Sequence, residues 1–286
     1  MRINPAGPKG YPFIGNILDL ASPKRLDWMQ SVTNEYGDVS KFKLLNKTVY
    51  LVNHPDLVRE MLTKKSTNYT KKTIGFKMLK TVLGDSTFTS LRSTWNRKRR
   101  LVQPSFHKER IAALSTTITN TIGDMLDDWE VACDKQQALN MAHEMMQLTL
   151  RVVVKSMFST ALTNAEVQTV ANVFTPLLEA TNKRVVFPFQ WLYRLPIRSN
   201  TTYQEYIDQL DAIIFRIISD RRKMTTPPTD LLQMLMDAKD EETGQPLSDQ
   251  ELRDEVMTVF IAGHETTANA MSWLWVILSK QPEIRA

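Results

Sequence analysis

The chain has 286 residues, of which 42% are hydrophobic, enough to bury a substantial core in one large domain or in two. Its net charge of +5 comes from basic and acidic residues mixed along the chain, which excludes a strongly basic nucleic-acid-binding protein. The single cysteine excludes an internal disulfide and favours a cytoplasmic, reducing location. No segment approaches the roughly 18 consecutive apolar residues of a membrane span, so we expect no transmembrane anchor.

The first 60 residues predict an extended segment, helices and a small sheet. Residues 5 to 16 are too rich in Pro and Gly for a regular element. A helix is predicted over residues 22 to 36, with Gly37 at its end. Two short β-branched runs, residues 39 to 45 and 48 to 52, flank a turn signal at residues 46 and 47 and predict a hairpin.

Residues 63 to 94 show no sustained periodicity, although residues 74 to 83 can form a helical turn or two. Loops of this length inside compact domains are usually functional. We therefore expect this stretch to have a functional role.

A basic segment, W-N-R-K-R-R-L-V-Q-P-S-F-H at residues 95 to 107, contains the next informative pattern. Trp95 and Arg99 are four residues apart, so an indole N–H and a guanidinium share one helix face and can bind the same carboxylate. Arg97 and Lys98 are interpreted as solvated residues that can attract an acidic partner. A solvated basic face or a nucleic-acid patch is the alternative for the whole run.

Helical periodicity continues through the middle of the chain. Helices are predicted over residues 107 to 130, 141 to 158, 164 to 182, 203 to 224 and 231 to 238, with apolar faces typical of a bundle. The aromatic, proline-containing connection at residues 187 to 196 fits neither a helix nor a solvated loop. Cys133 and His143 are interpreted as ordinary helix residues.

The C-terminal segment from residue 247 to 282 predicts one long helix. Ser248 and Glu251 have the spacing of a capping box, and Pro282 stops the pattern. At 1.5 Å per residue, the helix is roughly 50 Å long. We expect it to be the central helix of the bundle.

This helix is interrupted by A-G-H-E-T-T at residues 262 to 267. Glycine costs about 1 kcal/mol relative to alanine in a helix interior, so helix formation alone does not select this sequence. Ala262 and Gly263 remove side-chain bulk, so a flat ligand could lie against the backbone. Thr266 can bond to the carbonyl of Ala262, one turn earlier. The expected product is a notch bordered by the Thr266 hydroxyl and the Glu265 carboxylate. A zinc peptidase is excluded because H-E-x-x-H requires a histidine where Ala268 stands.

The A-G-x-E-T-T motif in a long helix resembles the oxygen-activation motif of the cytochrome P-450 haem-thiolate monooxygenases. The W-x-x-x-R helix with its P-x-F tail and the proline-rich N-terminal segment are also similar to that family, although residues 91 and 92 depart from the Asp-Gly that it often has. The resemblance implies a mainly α, cytochrome P-450 type helical bundle with a small N-terminal β-sheet.

The resemblance also implies roles for individual residues. Ala262 and Gly263 would face the distal side of haem b, Thr266 would orient dioxygen, and Glu265 would relay protons as the second catalytic residue. Trp95 and Arg99 would bind a haem propionate. The F-T-S segment at residues 88 to 90 would place Phe88 over the haem as a substrate contact, with a core phenylalanine beneath a loop as the equal alternative.

The family's haem-ligating cysteine, in F-x-x-G-x-R-x-C, and its E-x-x-R pair are not found in these 286 residues. Cys133 lies in the wrong segment to replace that ligand. We therefore expect residues 1 to 286 to form one incomplete domain, truncated before the haem-thiolate loop and inactive alone, with the axial cysteine beyond residue 286.

The resemblance implies partners as well. These are O2, an apolar substrate and an electron donor, which would be a ferredoxin, a flavodoxin or a reductase domain, with no nucleic acid. The spelling A-G-H-E-T-T is most similar to members that hydroxylate fatty acids and other long-chain lipids, and a peripheral location at a membrane surface is compatible with it. The competing hypothesis is a non-catalytic helical module that binds an apolar ligand or a partner without haem.

Overall fold

A computed structural model describes residues 4–159, 162–186 and 191–285. The chain divides into two compact units, one formed by residues 1–76 and 182–190 and the other by residues 77–181 and 191–286. The mainly helical fold with a small antiparallel sheet near the N-terminus is confirmed.

Helices account for most of the described chain. They are α1 (Ile17–Ala21), α2 (Arg25–Tyr36), α3 (Pro55–Leu62), α4 (Ile74–Leu83), α5 (Arg92–Val102), α6 (Lys108–Ala113), α7 (Ser115–Asp134), α8 (Met141–Phe158), α9 (Asn164–Val186), α10 (Arg198–Lys223), α11 (Leu231–Asp237), α12 (Asp249–Lys280) and α13 (Pro282–Arg285). The two strands are β1 (Val39–Leu44) and β2 (Lys47–Val52).

The predicted hairpin is present in the first unit, with its turn one residue earlier than expected. Leu44 pairs with Lys47, so residues 45 and 46 form the turn, and Leu45 has a φ of 55°. Beneath the sheet, the rings of Trp28 and Phe42 meet edge to face with centroids 5.2 Å apart. This contact joins α2 to β1.

The second unit has its core around α12, which contacts α8, α10 and α11. The apolar positions in its first half are largely buried, whereas Trp273, Leu274 and Ile277 in its second half are exposed. Leu252 and Val256 are 0% exposed and Phe260 is 5% exposed. The prediction of a central helix is therefore confirmed.

The ends of α12 are also as predicted. The Ser248 side chain accepts a hydrogen bond from the Glu251 backbone N–H at 3.2 Å, and the Glu251 carboxylate accepts one from the Ser248 N–H at 2.9 Å. The helix runs for 32 residues to Lys280. At 1.5 Å per residue this is about 48 Å.

Several other boundaries differ from the prediction. The single helix expected over residues 107 to 130 is two helices, α6 and α7, which meet at Leu114. The Leu114 N–H bonds to the carbonyl of Ile111, a tightened turn that needs no Pro or Gly and left no signal in the sequence. Residues 187–190 of the aromatic connection lie outside the described residues. Among those described, no helix is both long enough and apolar enough to cross a membrane.

Candidate functional site

The notch lies midway along α12. Ala262 and Thr266 are exposed, one turn apart on the same side of the helix. The Thr266 Oγ1 donates a hydrogen bond to the Ala262 carbonyl at 2.5 Å, as predicted. Glu265, next to it, is half-buried and forms no hydrogen bond or ion pair within the described part of the chain. A hydroxyl oxygen and an unpaired carboxylate therefore border a strip of small residues.

Gly263 has a packing role that the sequence analysis did not identify. A Cβ at this position would lie 3.0 Å from Cγ2 of Val153 on α8. The missing side chain thus allows α8 to approach α12 closely. The prediction that Gly263 also exposes backbone to a ligand stays a prediction.

His264 is buried on the opposite side of the motif, with 4% of its surface exposed. One ring nitrogen, Nε2, lies 3.1 Å from the carbonyl of Met146, and the ring contacts Phe174 edge to face at 4.9 Å. A carbonyl only accepts, so Nε2 carries a proton in this contact. Burial lowers the pKa of His264 below its usual range, against a smaller opposing effect of the Met146 bond.

We expect this histidine to make the protein acid-sensitive. The unfolded chain takes up a proton near pH 6.5, whereas the folded protein resists it, so stability is complete above about pH 6.5 and falls as the pH drops below it, by at most about 1.4 kcal/mol per pH unit. His264→Gln, which keeps a donor for Met146, should flatten the pH dependence of the unfolding free energy measured by urea titration. The matched control is His143→Gln, at an exposed position. An unchanged slope in His264→Gln would contradict this assignment.

The basic run on α5 is more structured than predicted. Arg97 pairs with Glu251 of α12 at 2.6 Å, and Lys98 is 2% exposed and donates to the carbonyl of Asp85. The interpretation of Arg97 and Lys98 as solvated residues is therefore wrong. Their partners lie far away in the sequence, where local charge patterning cannot locate them.

Arg100 is engaged as well, with Asp240 at 3.3 Å and Glu242 at 3.0 Å. Arg99 and Trp95 differ from these neighbours. Both are exposed, with 38% of the Trp95 surface accessible, and the described residues offer neither side chain a hydrogen-bond partner. One cation and one indole N–H on a single helix face are therefore available to an anion.

The loop that carries Phe88 is attached to the notch side of α12. The Glu255 carboxylate accepts a hydrogen bond from the Thr87 N–H at 2.7 Å. Ala262 follows Glu255 by seven residues, and Thr266 follows Ala262 by four. At 100° per residue, the three positions lie within roughly 40° of one another around the helix. Glu255, which holds Thr87, lies about 10 Å before Ala262 along the axis. Phe88 follows Thr87 with 48% of its surface exposed.

Comparison with known proteins decides the family. The family model described as Cytochrome P-450 matches residues 5–286. The chain belongs to the cytochrome P-450 family. Among its relatives, "Cyclooctatin synthase" of Streptomyces melanosporofaciens is 32% identical over 280 residues, covering 98% of this chain and 60% of that protein.

Other cytochrome P-450 relatives are more distant. "Pentalenene oxygenase" of Streptomyces avermitilis is 28% identical over 98% of this chain and 60% of its own length. "Bifunctional cytochrome P-450/NADPH--P-450 reductase 2" of Bacillus subtilis is 23% identical over 96% of this chain and 26% of its own length. The chain thus spans about 60% of the first two relatives.

Membership of the cytochrome P-450 family implies a haem cofactor, O2, an organic substrate and a source of electrons. In some relatives the name includes a reductase in the same protein. The individual roles of Thr266, Glu265, Trp95, Arg99 and Phe88 stay predictions.

Proposed function

We propose that this chain supplies the oxygen-activation helix and part of the haem-binding surface of a monooxygenase that hydroxylates an apolar substrate. The observation that carries the proposal is the notch on α12, where Thr266 bonds to Ala262 beside the unpaired Glu265. The exposed small residue Ala262 leaves room for a flat ligand beside these two polar side chains. Haem, when bound, supplies the redox chemistry that reduces O2 and transfers one oxygen atom.

The α5 helix supports this proposal because its free donors fit a haem propionate. Within the described residues, the Trp95 N–H and the Arg99 guanidinium have no partner, whereas Arg97, Lys98 and Arg100 all have one. A carboxylate bound by both donors would gain charge-assisted hydrogen bonds. We assign Trp95 and Arg99 to that role.

The notch side chains would move protons. Oxygen insertion consumes two protons and two electrons for each O2, and one oxygen atom leaves as water. Since the Thr266 hydrogen is donated to Ala262, the hydroxyl oxygen is left to accept a hydrogen bond from water. Glu265 can take a proton from solvent and release it to that water. The pair would thus deliver protons to the reacting oxygen.

The substrate proposed here is a largely hydrocarbon molecule. Two relatives carry substrate names, "Cyclooctat-9-en-7-ol 5-monooxygenase" and "Pentalenene oxygenase". On this basis, we favour a compact, terpene-like compound over the fatty-acid-like chain that the motif spelling suggested. Phe88 would contact it from the loop above the notch.

The thiolate ligand of the haem is proposed to come from outside these 286 residues. Cys133 is exposed near the end of α7. These residues alone should therefore bind haem weakly and turn nothing over, because a haem without its thiolate lacks the electron donation that favours O–O cleavage.

The test is oxygen incorporation by the protein expressed from its complete gene. With a ferredoxin and its reductase as electron donors, isotopically labelled O2 should place one labelled oxygen atom in pentalenene or in a linear fatty acid, the first being preferred. A purified protein that binds these compounds tightly but holds no haem would instead support the non-catalytic helical module.

A further inference from the structure

Three consecutive charged residues near the start of α12 are buried. Arg253, Asp254 and Glu255 are 3%, 3% and 1% exposed, although Arg, Asp and Glu are almost never fully buried unless they are paired. Arg253 donates to the carbonyl of Val82 at 2.7 Å, at the end of α4. Arg253 also pairs with Asp211 at 2.5 Å and with Asp254 at 3.2 Å. Asp254 and Glu255 bind the segment that leads from α4 to α5.

The two carboxylates bind alternate backbone N–H groups of that segment. Asp254 Oδ2 accepts from the Asp85 N–H at 2.8 Å, and Glu255 Oε1 accepts from the Thr87 N–H at 2.7 Å. We call Asp254 and Glu255 the carboxylate bracket. Its two bonds fix the path of the chain directly before Phe88.

The segment itself is shaped for the bracket. Gly84 has a φ of 56°, and a Cβ on it would lie 2.0 to 2.2 Å from the carboxylate atoms of Asp254. Any larger residue would therefore displace that carboxylate. The Lys98 ammonium completes the attachment, since it donates to the Asp85 carbonyl and lies 3.8 Å from Glu251.

Burying these charges has a large desolvation free energy. If the residues only packed, apolar side chains would therefore stabilise the fold more. Burial also raises the pKa of the Glu255 carboxyl, against the opposing effects of the hydrogen bond that it accepts from Thr87 and of the nearby Lys98. What the charged groups provide, and apolar ones cannot, is a set of directed bonds to specific backbone atoms. The benefit is a defined loop conformation two turns before the notch.

We propose that Asp254 and Glu255 are positioning residues that hold the loop of residues 84–90 across the notch side of α12 and, through Phe88, set which substrate shapes are accepted. The positioning follows from the contacts described above. The link to substrate selectivity rests on the proposed function.

The positioning is tested by amide hydrogen exchange of the protein expressed from its complete gene. Glu255→Leu removes the acceptor of the Thr87 N–H, whereas Glu255→Gln keeps an oxygen in the same place. Because an unmade buried hydrogen bond costs about 1–3 kcal/mol, exchange in a peptide covering residues 84–90 should be roughly tenfold or more faster in Glu255→Leu and close to parental in Glu255→Gln. Equal exchange in the two variants would overturn the positioning role.

A second variant disturbs the bracket from the other side. Gly84→Ala forces the Asp254 carboxylate away, so it should raise exchange in the same peptide without changing either bracket residue. Parental exchange in Gly84→Ala would also overturn the role. Circular dichroism at the assay temperature confirms for each variant that the helices are retained.

Selectivity is measured as the ratio of the dissociation constants of pentalenene and dodecanoic acid, by calorimetry. Glu255→Leu should change this ratio several-fold, in the same direction as Phe88→Ala, and Glu255→Gln should not. A loosened loop with an unchanged ratio would overturn the link to selectivity. The proposed monooxygenase activity is tested separately: a product without labelled oxygen would contradict it. The hydrogen-exchange result does not depend on that activity.

Discussion

We expect Thr266→Val, in the protein expressed from its complete gene, to uncouple electron consumption from product formation by roughly tenfold or more, while haem and substrate binding stay near parental. A general acid or base that is correctly placed contributes typically 10²–10⁴-fold to a proton-transfer step. Valine has nearly the shape of threonine and can be accommodated in the helix, so the substitution removes little besides the hydroxyl. Without that hydroxyl, the water beside Glu265 is not ordered and reduced oxygen leaves as peroxide. The measurement is product formed per reducing equivalent, together with peroxide released.

Two controls isolate the hydroxyl. Thr266→Ser retains it and should keep most of the coupling. Thr267→Val removes a neighbouring hydroxyl that is turned about 100° away around the helix, and should be close to parental. Equal coupling in Thr266→Val and Thr267→Val would show that Thr266 only packs.

The second large effect is expected at Arg99. Arg99→Ala should weaken haem binding by roughly 10- to 100-fold, because a hydrogen bond to a charged group is worth about 1.5–3 kcal/mol. Trp95→Phe, which removes only the indole N–H and retains an aromatic ring, should have a smaller effect in the same direction. Haem transfer to apomyoglobin measures the loss rate.

Arg100→Ala is the matched control for Arg99. It removes a guanidinium from the next position, where the partners are Asp240 and Glu242 and not a ligand. Asp240 is buried, so loss of its partner should lower stability, but haem binding by the folded protein should not change. Haem loss that is equal in Arg99→Ala and Arg100→Ala would remove the reason for assigning Arg99 to a propionate.

The sequence predicted the features that depend on neighbouring residues. The capping box joins Ser248 to Glu251, and the hydrogen bond in the notch joins Thr266 to Ala262, so both involve residues within four positions. The end of the helix before Pro282 is likewise a local effect. Such local rules do not require knowledge of the rest of the fold. The motif at residues 262 to 267 was recognisable for the same reason.

Features that depend on distant partners were missed. Lys98 looked like part of a solvated run, yet it is buried because Asp85 and Glu251 surround it in the fold. The sequence analysis did not single out the bracket residues Asp254 and Glu255, whose partners lie 169 and 168 positions away. Charge patterning along the chain carries no information on such pairs.

Gly263 shows the same limit in apolar packing. The motif around Gly263 indicated a notch, but only the fold shows that Val153 of α8 packs against Gly263. The ligand-facing role of Gly263 stays a prediction, whereas the structure shows its role in the packing of two helices. The sequence signals the first role and is silent on the second.

The central claim is that this chain forms part of a haem-thiolate monooxygenase, and haem binding tests it most directly. The measurement is the haem content of the purified protein expressed from its complete gene, with the absorption spectrum of its ferrous carbon monoxide complex. We predict one haem per chain and the red-shifted band of a thiolate-ligated iron. A folded protein without haem, or with a band typical of a histidine-ligated iron, would contradict the claim.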